Sequence, residues 1–382
     1  MTGRQRLLNA LSGKETDRIP VSPWIYNNFI FEHFDHEPKS MDDFYFGGGF
    51  DIDKNTIQVY EDYRFDLTNR LGSIWDTYKE KTANDWEVSV ETIDKGNIQS
   101  EITTIRTPKK TMRQVKDVKQ ISKYTFVEAL MEYFIKDADD FENFVQYQPP
   151  FGVDCSRLAR ARELTGDKGV IFACLHGAFN ALNMYRRLDD MMMDPLLDEG
   201  FYRAMLRHFT DRSKVMIRES IKNGADVFDL PINMATATAV GVDYFNRYIF
   251  EYESELMDEA HQGGTLVCSH NCGDGLGLID TYNKMPIDAY ETMTPPPFGD
   301  MDFDTALAKF NKCICLMGNI DQVEFLMKAT PREVYERVKE VVLKAKKRGN
   351  FILTTSDWLF DGTPKDNVRA FVEAGLEYGR YD

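Results

Sequence analysis

From about Asp167 onward, the chain alternates short apolar runs with longer stretches of helical periodicity. Short apolar runs separated by helices are typical of buried strands in a parallel sheet. Because each pair of parallel strands needs a crossover connection, this alternation restricts the chain to α/β architectures. The runs are Val170–Leu175, Asp226–Leu230, Thr265–Cys268, Ala289–Met293, Ile314–Gly318 and Phe351–Thr354.

Two further strand candidates lie near the N-terminus, at Arg18–Tyr26 and Asn55–Tyr60. With the later runs they make eight parallel strands, a number that closes naturally into a (β/α)8 TIM barrel. Such a barrel has its active site at the carboxyl ends of its strands. We therefore predict an α/β fold in which residues 1–382 form a single barrel domain.

The stretch from residue 71 to residue 147 interrupts this rhythm. Trp86–Val90 and Ile102–Arg106 alternate apolar and polar side chains, which is typical of antiparallel strands. We predict that residues 71–147 form an inserted antiparallel hairpin region after the second strand, and that this region covers the barrel mouth.

The composition excludes several classes of partner. With 62 Asp and Glu against 46 Lys and Arg, the formal charge of −16 disfavours binding to nucleic acid or anionic lipid. No apolar run approaches the roughly 18 residues of a membrane span, and the N-terminus lacks a secretory signal pattern. The few cysteines include no C-x-x-C pair, so we expect reduced thiols in a cytoplasmic protein. The oligomeric state stays open, with a homodimer as one option.

His270 and Cys272 stand directly after the Thr265–Cys268 run. Residues i and i+2 of a strand point to the same side, so both side chains can reach one ion. A zinc ion that takes part in catalysis usually has three protein ligands. The alternative is a hydrogen-bonded histidine beside a buried thiol.

Three residues compete for the position of third ligand. Cys313 and Cys315 stand at the start of their strand, toward the end of the barrel that serves stability, and this favours core packing. Asp357 follows the Phe351–Thr354 run, so it can point into the mouth, although an aspartate there can also cap the next turn. A carboxylate is a sound third ligand for Zn²⁺, and we therefore favour Asp357.

Other polar and aromatic residues also follow predicted strands. His176 could hydrogen-bond a substrate oxygen or be a structural histidine. Asn233 could support a metal ligand or contact substrate, and Asn319 could contact substrate or hold a loop. Trp24 and Tyr26 could form an aromatic wall or belong to the core. We predict all five as substrate-binding residues.

The chain resembles the uroporphyrinogen decarboxylase superfamily in motifs that occur in matching order over nearly its whole length. These are Asp17–Val21, Gly224–Asp226, His270-x-Cys272-Gly273, Gly318–Asp321 and Thr363-Pro-x-x-Asn367. The resemblance implies a (β/α)8 barrel with one of two activities. One is decarboxylation of uroporphyrinogen, and the other is zinc-dependent methyl transfer to or from a corrinoid protein.

The residues disfavour the decarboxylase. The superfamily's decarboxylases follow the first strand with an arginine-rich segment that grips the substrate carboxylates, whereas Trp24–Phe29 contains no arginine. They also carry a histidine after the last strand, where this chain has Ser356–Phe360. Without such cations, an acidic protein cannot offset the desolvation of a polyanionic substrate.

The methyltransferase branch carries a His-x-Cys after the fifth strand and a second cysteine after the eighth. His270 and Cys272 match the first part, and Asp357 stands in the position of the second cysteine. A thiol acceptor needs zinc to lower the thiol pKa, whereas cleavage of a methyl ether needs an electrophile at the leaving oxygen. The harder His/Cys/Asp ligand set favours cleavage of a methyl ether.

The resemblance thus implies a corrinoid protein-dependent methyltransferase with His270, Cys272 and Asp357 as catalytic residues and metal ligands. Its cofactors would be zinc and a corrinoid (cobalamin) carried by a partner protein, and its substrate a small methylated compound such as a methyl ether. Two alternatives stay open. A uroporphyrinogen-decarboxylase-like, metal-independent lyase would use Asp62 or Asp229 as its acid–base group, and a non-catalytic barrel relative would have lost the zinc set.

Overall fold

The computed structural model describes residues 1–71 and 82–381 of the chain. Its strands are β1 (Leu67–Leu71), β2 (Glu87–Asp94), β3 (Gln99–Arg106), β4 (Thr111–Gln120), β5 (Phe126–Glu132), β6 (Gly169–Cys174), β7 (Val227–Pro231), β8 (Leu266–His270), β9 (Ala289–Glu291), β10 (Cys315–Ile320) and β11 (Phe351–Thr355). Its α-helices are α1 (Gly3–Leu11), α2 (Asn27–His33), α3 (Met41–Phe46), α4 (Ile52–Tyr63), α5 (Ala138–Tyr147), α6 (Ser156–Thr165), α7 (Ala178–Asn183), α8 (Leu188–Leu197), α9 (Glu199–Lys222), α10 (Val242–Tyr244), α11 (Phe250–Gln262), α12 (Ile279–Tyr282), α13 (Phe303–Lys309), α14 (Pro331–Arg348) and α15 (Lys365–Tyr378).

Seven strands form one curled parallel sheet in the order β1-β6-β7-β8-β9-β10-β11. An extended segment at residues 19–22 lies between its two outer strands. The Ser22 N–H donates to the Leu353 carbonyl of β11 at 2.9 Å, and the Asp66 N–H, just before β1, donates to the Val21 carbonyl at 2.8 Å. The segment takes the place of the first strand, and the result is a TIM-barrel-like α/β fold.

The predicted strand at Asn55–Tyr60 is wrong, because these residues lie within α4. Asp51 caps this helix by accepting a hydrogen bond from the Lys54 N–H, and its buried face includes Ile52, Ile57 and Tyr60. The spacing of that face follows a helical turn rather than the two-residue period of a strand. The second position of the barrel is occupied by β1 instead. The other predicted strand, Arg18–Tyr26, is present only as the extended segment, with isolated bridges from Val21 to Leu353 and from Arg18 to Arg380.

Helix α1 closes the amino end of the barrel. Leu7 and Leu11 pack with inward-facing strand residues that include Val170, Cys268 and Cys315. Cys315 therefore belongs to the core, as predicted, whereas Cys313 is exposed rather than packed. Apolar packing at this end leaves the polar inward-facing residues at the opposite, carboxyl end of the strands.

The region predicted as an insertion, residues 71–147, contains a four-stranded antiparallel sheet in the order β2-β3-β4-β5. This sheet confirms the prediction of antiparallel hairpins in that region. Residues 72–81 of the predicted insertion lie outside the described residues. The Gln114 side chain donates to the Met184 carbonyl at 2.8 Å, so the sheet contacts the chain that follows α7. Its role as a cover of the barrel mouth stays a prediction. Among the helices described, none combines the length and apolar character that a membrane span requires.

Candidate metal site

His270, Cys272 and Asp357 come together at the carboxyl ends of two strands that are distant in the chain. His270 ends β8, Cys272 follows shortly after it, and Asp357 lies just beyond β11. One ligand atom from each residue lies within 4.8 Å of the other two. Nitrogen, sulfur and carboxylate oxygen are the ligands that zinc takes at about 2.0–2.3 Å, so an ion between them could contact all three.

Glu291 of β9 fixes the ring of His270. Its Oε1 accepts a hydrogen bond from His270 Nδ1 at 3.0 Å. Arg70 of β1 in turn donates to both oxygens of Glu291, at 2.8 and 2.6 Å. A metal-binding histidine commonly donates its second ring N–H to a carboxylate in this way. The contact with Glu291 leaves Nε2 of His270 as the atom available to an ion.

The pKa values of the two carboxylates beside Arg70 shift in opposite directions. Burial raises the pKa of Glu291, but the charge of Arg70 and the hydrogen bond from His270 outweigh it and lower that pKa to about 2. Asp229 Oδ2 lies 3.1 Å from Arg70, yet burial and the negative charge of Glu291 raise the pKa of Asp229 to about 6. Asp229, His270 and Glu291 also have the spacing of a metal site. Because the Arg70 guanidinium already pairs with both carboxylates, this set is a poorer candidate metal site than His270, Cys272 and Asp357.

The charge balance around His270 favours a bound cation. Burial lowers the pKa of His270, but hydrogen bonds with Cys272 and Glu291 outweigh burial and raise that pKa well above its usual value. Burial also raises the pKa of Asp357, while the charge of His270 opposes the shift. The carboxyl groups of Glu291 and Asp357 and the thiol of Cys272 thus surround the buried imidazole of His270. A proton or a metal ion can supply the positive charge that such a cluster attracts.

Aromatic rings cover one side of the cluster. The Trp24 ring meets the His270 ring edge-on, with centroids 4.8 Å apart, and it also lies 4.5 Å from the Arg70 guanidinium. Trp358 follows Asp357 and lies 5.7 Å from Trp24 and 5.3 Å from Tyr26. The aromatic wall predicted from Trp24 and Tyr26 thus adjoins the candidate ligands. Its contact with substrate stays a prediction.

Asn233 contacts a candidate ligand directly. Its Nδ2 lies 3.7 Å from Cys272 Sγ, and its Oδ1 accepts a hydrogen bond from Asn180 Nδ2 at 2.7 Å. An amide N–H near sulfur stabilises the thiolate form that a metal needs. The structure therefore places Asn233 where it can support Cys272, which is one of the two roles considered from the sequence, and its contact with substrate stays a prediction.

His176 and Asn319 line cavities outside the metal cluster. His176 borders a cavity of about 640 Å³ between the antiparallel sheet and helices α3, α7 and α9, where burial lowers its pKa to about 4. Asn319 faces a cavity of about 240 Å³ beside Pro295 and Pro296. Of the five residues predicted to bind substrate, Trp24 and Asn233 contact the His/Cys/Asp cluster, and Tyr26 adjoins it through Trp358.

Sequence reasoning missed Arg70 and the role of Glu291. The misplaced strand at Asn55–Tyr60 hid β1, whose Thr68-Asn69-Arg70 stretch is polar for a buried strand. Glu291 offered a usable signal, because a carboxylate inside an apolar run must find a partner when it is buried. That signal could have prompted a search for a buried cation.

The fold and site define a TIM-barrel-like α/β protein with a candidate metal centre at the carboxyl ends of its strands. A family model described as uroporphyrinogen decarboxylase (URO-D) matches residues 131–378, which is more than half of the chain. The chain belongs to this family. The resemblance seen in the sequence is confirmed.

Known proteins with related sequences include both kinds of enzyme. The methylcobamide:CoM methyltransferase MtbA of Methanosarcina mazei is 22% identical over 256 residues, which cover 65% of this chain and 71% of that protein. A uroporphyrinogen decarboxylase of Prochlorococcus marinus is 26% identical over 173 residues, 45% of this chain and 46% of that protein. A solved structure of a methyltransferase from Methanosarcina mazei has a TM-score of 0.71 at 13% identity and covers 99% of both chains, so the fold is shared throughout.

Proposed function

We propose that this protein is a zinc-dependent methyltransferase that moves a methyl group from a small methylated substrate, foremost a methyl ether, to a corrinoid protein. The convergence of His270, Cys272 and Asp357 within 4.8 Å carries the proposal. The similarity to a methylcobamide:CoM methyltransferase supports methyl transfer that involves a corrinoid.

His270, Cys272 and Asp357 would hold the ion and leave a fourth position for the substrate. Zinc there would supply a Lewis acid for the negative charge that develops on the substrate as the methyl group leaves. Asp357 replaces a soft thiolate with a harder oxygen ligand, and hard ligand sets favour oxygen donors. A methyl ether is therefore the first choice, and methylated amines and thioethers are the other classes to test.

A Co(I) corrinoid on the partner protein would supply the nucleophile that takes the methyl group. The substrate oxygen would keep the electron pair of the broken carbon–oxygen bond, gain a proton from solvent and leave as an alcohol. Glu291 keeps the His270 ring in orientation, and Asn233 holds Cys272. Trp24 and Trp358 exclude water from one side of the cluster, which strengthens its electrostatic interactions.

Two contacts weigh against the metal-independent lyase. Arg70 is buried in its ion pair with Glu291 and is not free to bind substrate carboxylates. Asp62 lies on α4 with its side chain 41% exposed, where it interacts with His33 and Gln58, so it is no acid–base group of the barrel interior. Asp229, with its raised pKa, stays the acid–base candidate of that alternative.

Metal analysis of the purified protein tests the ligand set. We expect about one zinc per chain, lost in His270→Ala and in Asp357→Ala, because a structural or catalytic zinc site needs its full set of ligands. A native protein that contains no zinc and takes up none would refute the mechanism. Full zinc occupancy in Asp357→Ala would remove Asp357 from the site.

An activity assay tests the chemistry. The protein is mixed with a Co(I) corrinoid protein and a panel of methyl ethers, methylamines and thioethers, and methyl-Co(III) is followed by absorbance. We expect a response with at least one ether. The absence of a response across the panel would favour the lyase or the non-catalytic alternative.

A further inference from the structure

The loop at residues 356–364, between β11 and α15, carries Asp357 and Trp358 without any helix or strand of its own. Individual hydrogen bonds therefore set its shape. The Ser356 N–H donates to the Ile320 carbonyl and the Leu359 N–H donates to the Trp24 carbonyl, both at 2.9 Å. These bonds fix the first half of the loop to the barrel.

In the second half of the loop, the Gly362 N–H donates to Glu32 Oε2 at 2.9 Å. The side chain that anchors this half is that of Asp361. Its two carboxylate oxygens accept hydrogen bonds from Ser122 Oγ at 2.5 Å and from Thr125 Oγ1 at 2.6 Å, both in the turn between β4 and β5. Asn28 Nδ2 of α2 lies 3.3 Å from the same carboxylate. Asn28 and Thr125 are buried, so water competes weakly for these bonds. The turn of the antiparallel sheet thus holds the loop that contains a candidate metal ligand.

We propose that Asp361 is a positioning residue through which the antiparallel sheet holds Asp357 in the metal site. Asp361 follows Asp357 by four residues, and the buried Leu359 between them is anchored to Trp24. Hydrogen bonds to a carboxylate are stronger than those between neutral groups, so three of them can fix so short a segment. The inference rests on the proposed function, because Asp361 acts through Asp357 as a ligand.

The same turn offers a matched control. Lys123 Nζ and Tyr124 OH lie 2.7 and 2.6 Å from Asp35 Oδ1, so a second carboxylate holds this turn from just beyond α2. Asp35→Ala and Asp361→Ala each remove one carboxylate that contacts the turn. Only Asp361→Ala also removes an anchor of the loop at residues 356–364. A difference between the two variants therefore reports on the loop rather than on the anchoring of the sheet.

The test measures zinc affinity, by competition with a chromophoric chelator, in the full-length protein. We expect Asp361→Ala to bind zinc about tenfold more weakly, the size of effect seen when support of a metal ligand is lost. Asp35→Ala should stay within about twofold of the native affinity by the same comparison. Thr125→Val should weaken binding and Thr125→Ser should restore it, because the hydroxyl group makes the bond. Absorption spectra of the Co²⁺-substituted proteins should change in Asp361→Ala and stay native in Asp35→Ala.

Asp357→Ala separates the possible failures. If Asp357→Ala weakens zinc binding but Asp361→Ala and Thr125→Val bind like the native protein, the positioning role is refuted and the ligand set stands. If Asp357→Ala also binds like the native protein, the ligand set fails, and the positioning role fails with it. If Asp361→Ala does not fold, Thr125→Val and Thr125→Ser decide the question.

Discussion

Glu253 gives a prediction that can be worked out from the structure. Its side chain on α11 is fully buried against the start of α7, where Oε1 accepts a hydrogen bond from the Phe179 N–H at 2.9 Å. A Cβ atom on Gly177 would lie only 2.3 Å from Oε2, so the carboxyl group fits closely beneath this backbone. Burial raises the pKa of Glu253 to about 7, although the backbone N–H groups of Phe179 and Ala178 oppose the shift.

The raised pKa makes stability depend on pH. The folded protein binds the Glu253 proton more tightly than the unfolded chain, whose pKa is 4.5. The stabilisation that the protonated Glu253 provides is complete below pH 4.5 and is lost as the pH rises through about 7. A pKa shift from 4.5 to about 7, at roughly 1.4 kcal/mol per pKa unit, therefore lowers the free energy of unfolding by ~3 kcal/mol at pH 8 and above.

Glu253→Gln removes this dependence, because the amide cannot ionise. We expect the variant to gain ~2.5 kcal/mol relative to the native protein between pH 5 and pH 8, because part of the effect is already lost at pH 5. Urea unfolding of the metal-free proteins, followed by tryptophan fluorescence at both pH values, measures the difference. Glu251→Gln removes a charge from the exposed face of the same helix and serves as control. Equal pH dependence in the native protein and Glu253→Gln would refute the reasoning.

Three further predictions concern the metal site. Glu291→Gln should lower the free energy of unfolding, measured in urea, by ~3 kcal/mol, because it removes one partner of a buried ion pair with Arg70. A loss under ~1 kcal/mol would contradict that pairing. Asn233→Ala should weaken zinc binding, measured by chelator competition, by about tenfold, because the contact with Cys272 is lost. A variant that binds zinc as tightly as the native protein would show that this contact contributes nothing. Asp357→Cys should keep zinc and shift the substrate preference, measured on the same panel, from ethers toward thioethers, because a softer ligand set suits sulfur. An unchanged preference would show that this ligand does not select the methyl donor.

The later strands could be predicted because burial determines their composition. All six apolar runs from Val170 onward correspond to strands β6 to β11. A parallel strand covered on both faces has almost no polar positions, so it stands out from the helices around it. The candidate ligands follow from the same regularity, because His270 and Asp357 mark the exits of β8 and β11 and strand exits meet at one end of a barrel.

Strand β1 could not be predicted in this way, because its polar residues have partners far away in the chain. Asn69 Nδ2 donates to Thr165 Oγ1 at 3.0 Å, and Arg70 pairs with Glu291. Such pairs make a polar strand compatible with the core, but the local sequence does not reveal them. The amphipathic helix α4 has more apolar residues than β1, so the sequence pattern favours a strand there instead of at β1. The contact between Asp361 and the β4–β5 turn was hidden for the same reason.

The position of α1 has a consequence for the order of events. Leu7 and Leu11 seal the amino end of the barrel, so His270 is reached from the opposite end. Under the proposed function, the methyl donor and the corrinoid carrier then both approach from the carboxyl end of the described strands. A docked macromolecule would block that approach, so the small compound would bind first and the demethylated product would leave after the carrier departs. Steady-state kinetics should therefore be ordered, with inhibition when the carrier is in excess.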